Sequence, residues 1–337
     1  MLSERSPMFD YISGFADQLG QGYELGWKAD LPAGRYSAII LSGMGGSAIG
    51  GDLLVGYARP TMRVPFYINR QASLPKWVGQ KTLDIVSSYS GNTEEARQCY
   101  AEALKRGSPV LAVCSGGRLL QLCEADKQPY VKIPGGLPPR SALGYSFAPL
   151  YAIFQRKGYI KTGAKELFGA IKQLRKLLPE YCDSAGAPAR LAVSLKEKIP
   201  VFYAPGFRYE AVTVRFRCQL AENAKTLAFS NVFPELSHNE IVGWGAPASL
   251  QNHLAAVFLR AGKSQDLKTE ILVRNLLYSS GIKTHYIKAS GQSVLQKILS
   301  LVHYADWLSY HLAVLKGVDP VPIERIDRLK QMMKEGK

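Results

Sequence analysis

Two apolar runs in this chain each break off into a loop of glycine and hydroxyl residues, and each loop opens a helical segment. Tyr36–Leu41 (YSAIIL) runs into Ser42-Gly43-Met44-Gly45-Gly46-Ser47-Ala48-Ile49-Gly50, and Leu83–Ser87 (LDIVS) into Ser88-Tyr89-Ser90-Gly91-Asn92-Thr93-Glu94-Glu95. A short continuous apolar run bounded by turn residues reads as a strand buried on both faces. Further strands are predicted at Val64–Ile68, Val110–Cys114 and Gln128–Ile133, and a helix at Glu94–Arg106, where Ala96, Tyr100 and Leu104 fall at helical spacing. Strands that alternate with helices build a parallel sheet covered on both faces. Such sheets bind ligands beyond the carboxyl ends of their strands, where both loops lie.

A second series follows. Helices are predicted at Ala164–Leu178, Pro188–Leu195, Tyr209–Asn223, Glu270–Ser279, Val294–Leu315 and from Pro322 onward. Strands are predicted at Val201–Ala204, Leu254–Leu259 and Thr284–Lys288. The strand–turn–helix unit at Ile39–Gly50 thus has a counterpart at Val201–Phe216, whose turn lacks the glycines and serines of the first. Gly135–Pro149, rich in Gly and Pro, reads as a connector. With 337 residues and 47% hydrophobic content, the chain is long enough for two cores. The expected division is an N-terminal helix and loop over 1–34, a first domain over 35–150 with the anion-binding loops, a second over 151–318, and a C-terminal helix over 319–337.

The net charge is +15, but the basic residues are scattered and clusters such as Lys196–Lys198 are broken by acids. No basic stretch is interleaved with aromatics and no zinc finger or basic zipper is present, so the expectation is a solvated basic surface and no nucleic acid partner. The five cysteines, Cys99, Cys114, Cys123, Cys182 and Cys218, have no C-x-x-C spacing. That argues against a disulfide framework or a zinc site. The first fifteen residues have no apolar signal core, and no apolar run approaches the roughly 20 residues that span a bilayer. A cytoplasmic protein with no membrane partner is expected.

Glycines let a backbone approach an anion closely, and free N–H groups at a helix N-terminus point at negative charge. In the first loop Gly46 and Ser47 are the candidates. The spacing is not G-x-G-x-x-G in its usual register, and no acidic residue follows at the distance expected for a ribose, which argues against a dinucleotide. In the second loop Ser88, Ser90 and Thr93 surround Gly91. Capping of the next helix by Asn92 or Thr93 would explain one polar residue; a cluster of neutral donors also suits a phosphate.

These loops resemble the sugar-isomerase (SIS) domain, in which S-Y-S-G-N-T marks the sugar-phosphate site. Pro139-Arg140-Ser141-Ala142-Leu143, Glu222-Asn223-Ala224-Lys225, Glu235-Leu236-Ser237-His238-Asn239 and Arg325-Ile326-Asp327-Arg328-Leu329-Lys330 extend the resemblance, in order and over nearly the whole chain, to the bifunctional phosphoglucose/phosphomannose isomerases. The resemblance implies an α/β fold of two SIS-type doubly wound parallel-sheet (αβα sandwich) domains. It also implies interconversion of glucose 6-phosphate or mannose 6-phosphate with fructose 6-phosphate through a cis-enediol, without a cofactor or metal.

The resemblance further implies that Glu222 is the base, that Arg140 stabilises the enediolate, and that Lys330 aids binding and ring opening. It implies as well that His238 acts in ring opening and is contributed by the partner subunit of a homodimer. The residues themselves leave plainer readings open. Val212, Phe216 and Leu220 form an apolar stripe, and Glu222 lies about 200° around the helix from Leu220, where a solvated glutamate would also sit. His238 has polar neighbours in a loop. Arg140 lies in the connector, as a flexible surface arginine could. Lys330 shares a helix face with Ile323, Ile326 and Met333, where its stem could snorkel. Ile323 stands where archaeal members carry a threonine, which bears on the choice between glucose and mannose epimers. A sugar-phosphate sensor, or an isomerase of another sugar phosphate, would share the loops.

Overall fold

The computed structural model describes residues 6–245, 247–262 and 266–335. Two helices, α1 (Pro7–Ser13) and α2 (Phe15–Lys28), open the chain where one was expected. They are followed by β1 (Ala38–Gly43), α3 (Gly45–Ala58), β2 (Phe66–Asn69), β3 (Thr82–Ser88), α4 (Glu94–Lys105), β4 (Val110–Cys114), α5 (Gly117–Ala125) and β5 (Tyr130–Lys132). These strands form one parallel sheet in the order β2-β1-β3-β4-β5. Every residue of β3 and β4 is buried, as strands covered by helices on both faces must be.

The second half comprises α6 (Leu143–Arg156), α7 (Ala164–Cys182), α8 (Ala187–Leu195), β6 (Ile199–Pro205), α9 (Glu210–Asn223), β7 (Phe229–Phe233), β8 (Leu254–Arg260), α10 (Leu267–Ser279), β9 (Lys283–Lys288), α11 (Val294–Lys316) and α12 (Glu324–Glu335). Its four strands are again all parallel, in the order β7-β6-β8-β9. The fold is therefore α/β with two doubly wound parallel sheets.

The connector reading of Gly135–Pro149 is corrected. Its latter part is α6, a helix buried from Leu143 to Phe154 and carrying Pro149 in its interior. Its small residues serve close packing against α2. A Cβ on Gly26 would fall 2.4 Å from the Pro149 carbonyl oxygen, and one on Gly144 would fall 2.4 Å from the Gln18 Cβ. Residue 150, the expected domain boundary, lies inside this helix. One continuous hydrophobic core includes Ile39 and Leu41 of β1, Phe202 of β6, Val257 of β8, and Phe147 and Trp307 of α6 and α11. Both sheets thus share a core with the helices between them.

Candidate active site

In the first sheet, strand order reverses between β1 and β3, the position at which open α/β sheets leave a crevice for ligands. Both candidate loops lie there. Helix α3 begins at Gly45 with no side chain capping it, and the Ser47 hydroxyl accepts a hydrogen bond from the Tyr89 N–H at 2.9 Å, which ties the first loop to the second. Gly46 has no room for a side chain, since a Cβ would stand 2.7 Å from the Pro139 carbonyl oxygen.

In the second loop Gly91 adopts φ +67°, and a Cβ there would collide with the Gly116 carbonyl. The Ser88 hydroxyl donates to Thr93 Oγ1 at 3.0 Å, and Ser90 Oγ accepts from the Asn92 N–H at 3.2 Å. Asn92 Oδ1 accepts from the Arg118 N–H at 3.0 Å, and Thr93, at the N-cap position of α4, makes no side-chain capping bond. Capping therefore does not account for the cluster. Two uncapped helix N-termini face the crevice, each with N–H groups that no intrahelical carbonyl satisfies.

Arg140 sits beside this crevice, in the short 3-10 turn Pro139–Ser141 that abuts Gly46. It is buried, its side chain 4% exposed, not a surface arginine. Its Nε donates to Asn223 Oδ1 at 2.7 Å, and its Nη2 donates to the carbonyls of Pro320 and Val321 at 2.7 and 2.8 Å. Nη1 lies 3.5 Å from Glu222 Oε2. Burial pushes the Arg140 pKa below its ordinary value, opposed by the Glu222 charge. Glu222, in the last turn of α9, keeps its side chain 30% exposed, as expected for a residue off the apolar stripe. Lys225, at φ +51°, donates to the carbonyls of Glu222 and Pro322 at 2.6 and 2.7 Å. The chain at residues 320–322 is thus fastened to the end of α9 by two cations.

Beneath Arg140 lies a polar network that sequence reading missed. Arg215 pairs with Asp306 at 2.8 Å and donates to the Arg140 carbonyl at 2.7 Å. Gln219 donates to Asp306 at 2.7 Å, and Asn223 donates to Ser309 Oγ at 2.9 Å. Arg215, Gln219 and Asn223 recur every four residues on α9, so they form one stripe, all buried. The available signal was Asp306 and Ser309 on α11 amid Ala305, Trp307, Leu308 and Leu312, since buried polar groups require partners.

The remaining two candidates stand apart from this cluster. His238 is exposed, on the 3-10 turn Glu235–His238 that follows β7. Lys330 lies on α12, where Ile326 and Met333 are exposed as well, so the helix face it shares with them is uncovered. Among the described residues no hydrogen bond or ion pair joins His238 or Lys330 to Arg140, Glu222 or the Ser88–Thr93 loop. Among the described residues there is also no group of three or more His, Cys, Asp or Glu able to hold a metal ion, and no helix is long and apolar enough to cross a membrane.

Two parallel sheets, with glycine–hydroxyl loops at the switch point of the first, define a double SIS-domain α/β protein. Residues 186–333 match the family model described as bacterial phospho-glucose isomerase C-terminal SIS domain. A hypothetical protein from Thermus thermophilus superposes with a TM-score of 0.73 over 99% of this chain and 91% of that one, at 16% identity, which speaks to the fold. The bifunctional phosphoglucose/phosphomannose isomerase of Caldicellulosiruptor bescii is 35% identical over 97% of this chain and 99% of its own. That of Thermoplasma acidophilum is 33% identical over 88% of this chain and 90% of its own. The chain belongs to the bifunctional phosphoglucose/phosphomannose isomerase family.

Proposed function

We propose that this protein interconverts glucose 6-phosphate and mannose 6-phosphate with fructose 6-phosphate, moving a proton between C1 and C2 through a cis-enediol with Glu222 as the base. The observation that carries this reading is the pairing of a buried, fixed guanidinium with a half-buried carboxylate at 3.5 Å, beside two uncapped helix N-termini. In this reading the 6-phosphate is held by the N–H groups at Gly46 and Ser47 and by the hydroxyls of Ser88, Ser90 and Thr93. That places the sugar carbons toward Arg140 and Glu222. One carboxylate can take the proton from one carbon and return it to the other. Negative charge then develops on the enediolate oxygens, where the preoriented Arg140 is worth most, since nothing must reorganise to meet it.

Ring opening needs a proton donor and acceptor near the ring oxygen. We assign this to His238 of the partner subunit in a homodimer, together with Lys330. The exposure of both side chains leaves them free to complete a neighbouring site. Ile323 offers no hydrogen bond to a sugar hydroxyl, so discrimination between the C2 epimers is weak in this reading.

The test is an assay of fructose 6-phosphate formed from each aldose phosphate with EDTA present, alongside Glu222→Gln. Turnover of both sugars with EDTA, reduced by about 10²–10⁴-fold in the variant, supports the reading. An active Glu222→Gln removes the base assignment. Absence of turnover with retained binding of fructose 6-phosphate points to a sensor.

A further inference from the structure

The second sheet has its own reversal of strand order, between β6 and β8. A cleft of 420 Å³ opens at the carboxyl ends of these two strands, lined by Gly206, Arg208, Gly262, Asp266, Val294 and Lys297 among others. It lies outside the catalytic cluster and shares no residue with it. Among the described residues that line it, two are cations and one is a carboxylate. Arg208 lines the cleft, and its Nε makes no hydrogen bond within the protein. Lys297 Nζ has no partner among the described residues and stands over Gly262, where a Cβ would lie 3.1 Å from it. Gly262 has φ +101°.

We propose that this cleft binds a small phosphomonoester, held by Arg208 and Lys297. A guanidinium matches two phosphate oxygens at once, and an ammonium adds a compact charge. The mode differs from that of the first sheet. The N-terminus of α11 is closed by a capping box between Ser293 and Gln296, so side chains supply the attraction here in place of helix N–H groups. A cleft of this volume suits a ligand of sugar-phosphate size.

The test follows thermal unfolding with and without glycerol 3-phosphate. It uses the unaltered protein, a Ser90→Ala/Thr93→Val variant that disarms the first-sheet loop, and the separate variants Arg208→Gln and Lys297→Gln, each built on that loop variant. The expected result is a ligand-dependent rise in Tm that persists in the loop variant and is lost when either cleft cation is also replaced. Lys297 is only partly buried, so its replacement reports on the site even if Arg208→Gln fails to fold. A rise that vanishes in the loop variant, survives both cleft substitutions, or is absent throughout overturns the proposal. None of these readouts uses isomerase activity, so the outcome is independent of the catalytic assignment.

Discussion

Arg140 spends its guanidinium on four partners: Glu222, Asn223 and the carbonyls of residues 320 and 321. Lysine cannot reproduce this fork, because an ammonium is a point charge on a flexible stem. Arg140→Lys is expected to lower kcat by about 10²–10³-fold, the usual effect of removing one preorganised donor to a developing anion. Steady-state kinetics on both aldose phosphates checks this; an unchanged kcat would remove Arg140 from the chemistry. Asp84 illustrates a different burial. It lies wholly inside the first sheet, where one oxygen accepts from Ser42 Oγ at 3.0 Å and the other has no partner. Desolvation pushes its pKa up to about 8. The folded protein therefore holds a proton that the unfolded chain releases near pH 4, and stability falls as pH rises from about 4 to about 8. In Asp84→Asn this slope should flatten. Urea midpoints at pH 5 and pH 8 measure it, and parallel slopes for both proteins would refute the assignment.

At the scale of elements, α9 carries two stripes one residue apart. Val212, Phe216 and Leu220 pack into the core, while Arg215, Gln219 and Asn223 are buried against α11. The first stripe was legible because apolar residues at helical spacing mark the buried face of a helix directly. The second was not, because a polar stripe in a sequence reads as a wet surface until another helix is known to cover it. Removing one end of a buried pair leaves the other charge stranded, so Asp306→Ala should destabilise the fold by about 3–5 kcal/mol. Chemical denaturation measures the loss, and a change under about 1 kcal/mol would show that water replaces the carboxylate. The same reasoning explains α6. Glycine and proline in Gly135–Pro149 are ordinarily breakers, and only the facing glycines of α2 reveal that they allow two helices to touch. β7 (FSNVF) escaped notice because, at the sheet edge, most of its residues are only partly buried and its pattern is weak. The loop residues Gly46, Ser47, Ser88, Ser90 and Thr93 were legible, since short-range spacing alone brings them to strand ends. Arg140 and Glu222 were named through the resemblance; their meeting depends on contacts 82 residues apart in sequence, which no local pattern encodes.

At the scale of the whole molecule, His238 and Lys330 were named through the resemblance, which put His238 in the partner subunit's site, and a single chain leaves both exposed. If His238 serves the neighbouring subunit, two crippled proteins should repair each other. Glu222→Gln and His238→Ala, each inactive alone, should recover up to about a quarter of full activity after mixing and subunit exchange, since half of the dimers are then mixed and each has one intact site. Mixing that restores nothing, with exchange verified, would place His238 in its own chain's site or outside the chemistry. The continuous core that joins both sheets makes a second prediction. The chain should unfold in one calorimetric transition, with equal calorimetric and van't Hoff enthalpies, and two resolved transitions would show that the halves are thermodynamically separate.

The bonds from Arg140 to the carbonyls of Pro320 and Val321 span about 180 positions of the sequence. On a ribosome the guanidinium emerges long before the backbone that orients it. A growing chain lacks the carbonyls that aim Arg140 until residues 320–321 have been made. In the reading proposed above, catalytic competence therefore arrives late in synthesis, and a chain cut short of that point is expected to lose the fixed geometry of Arg140.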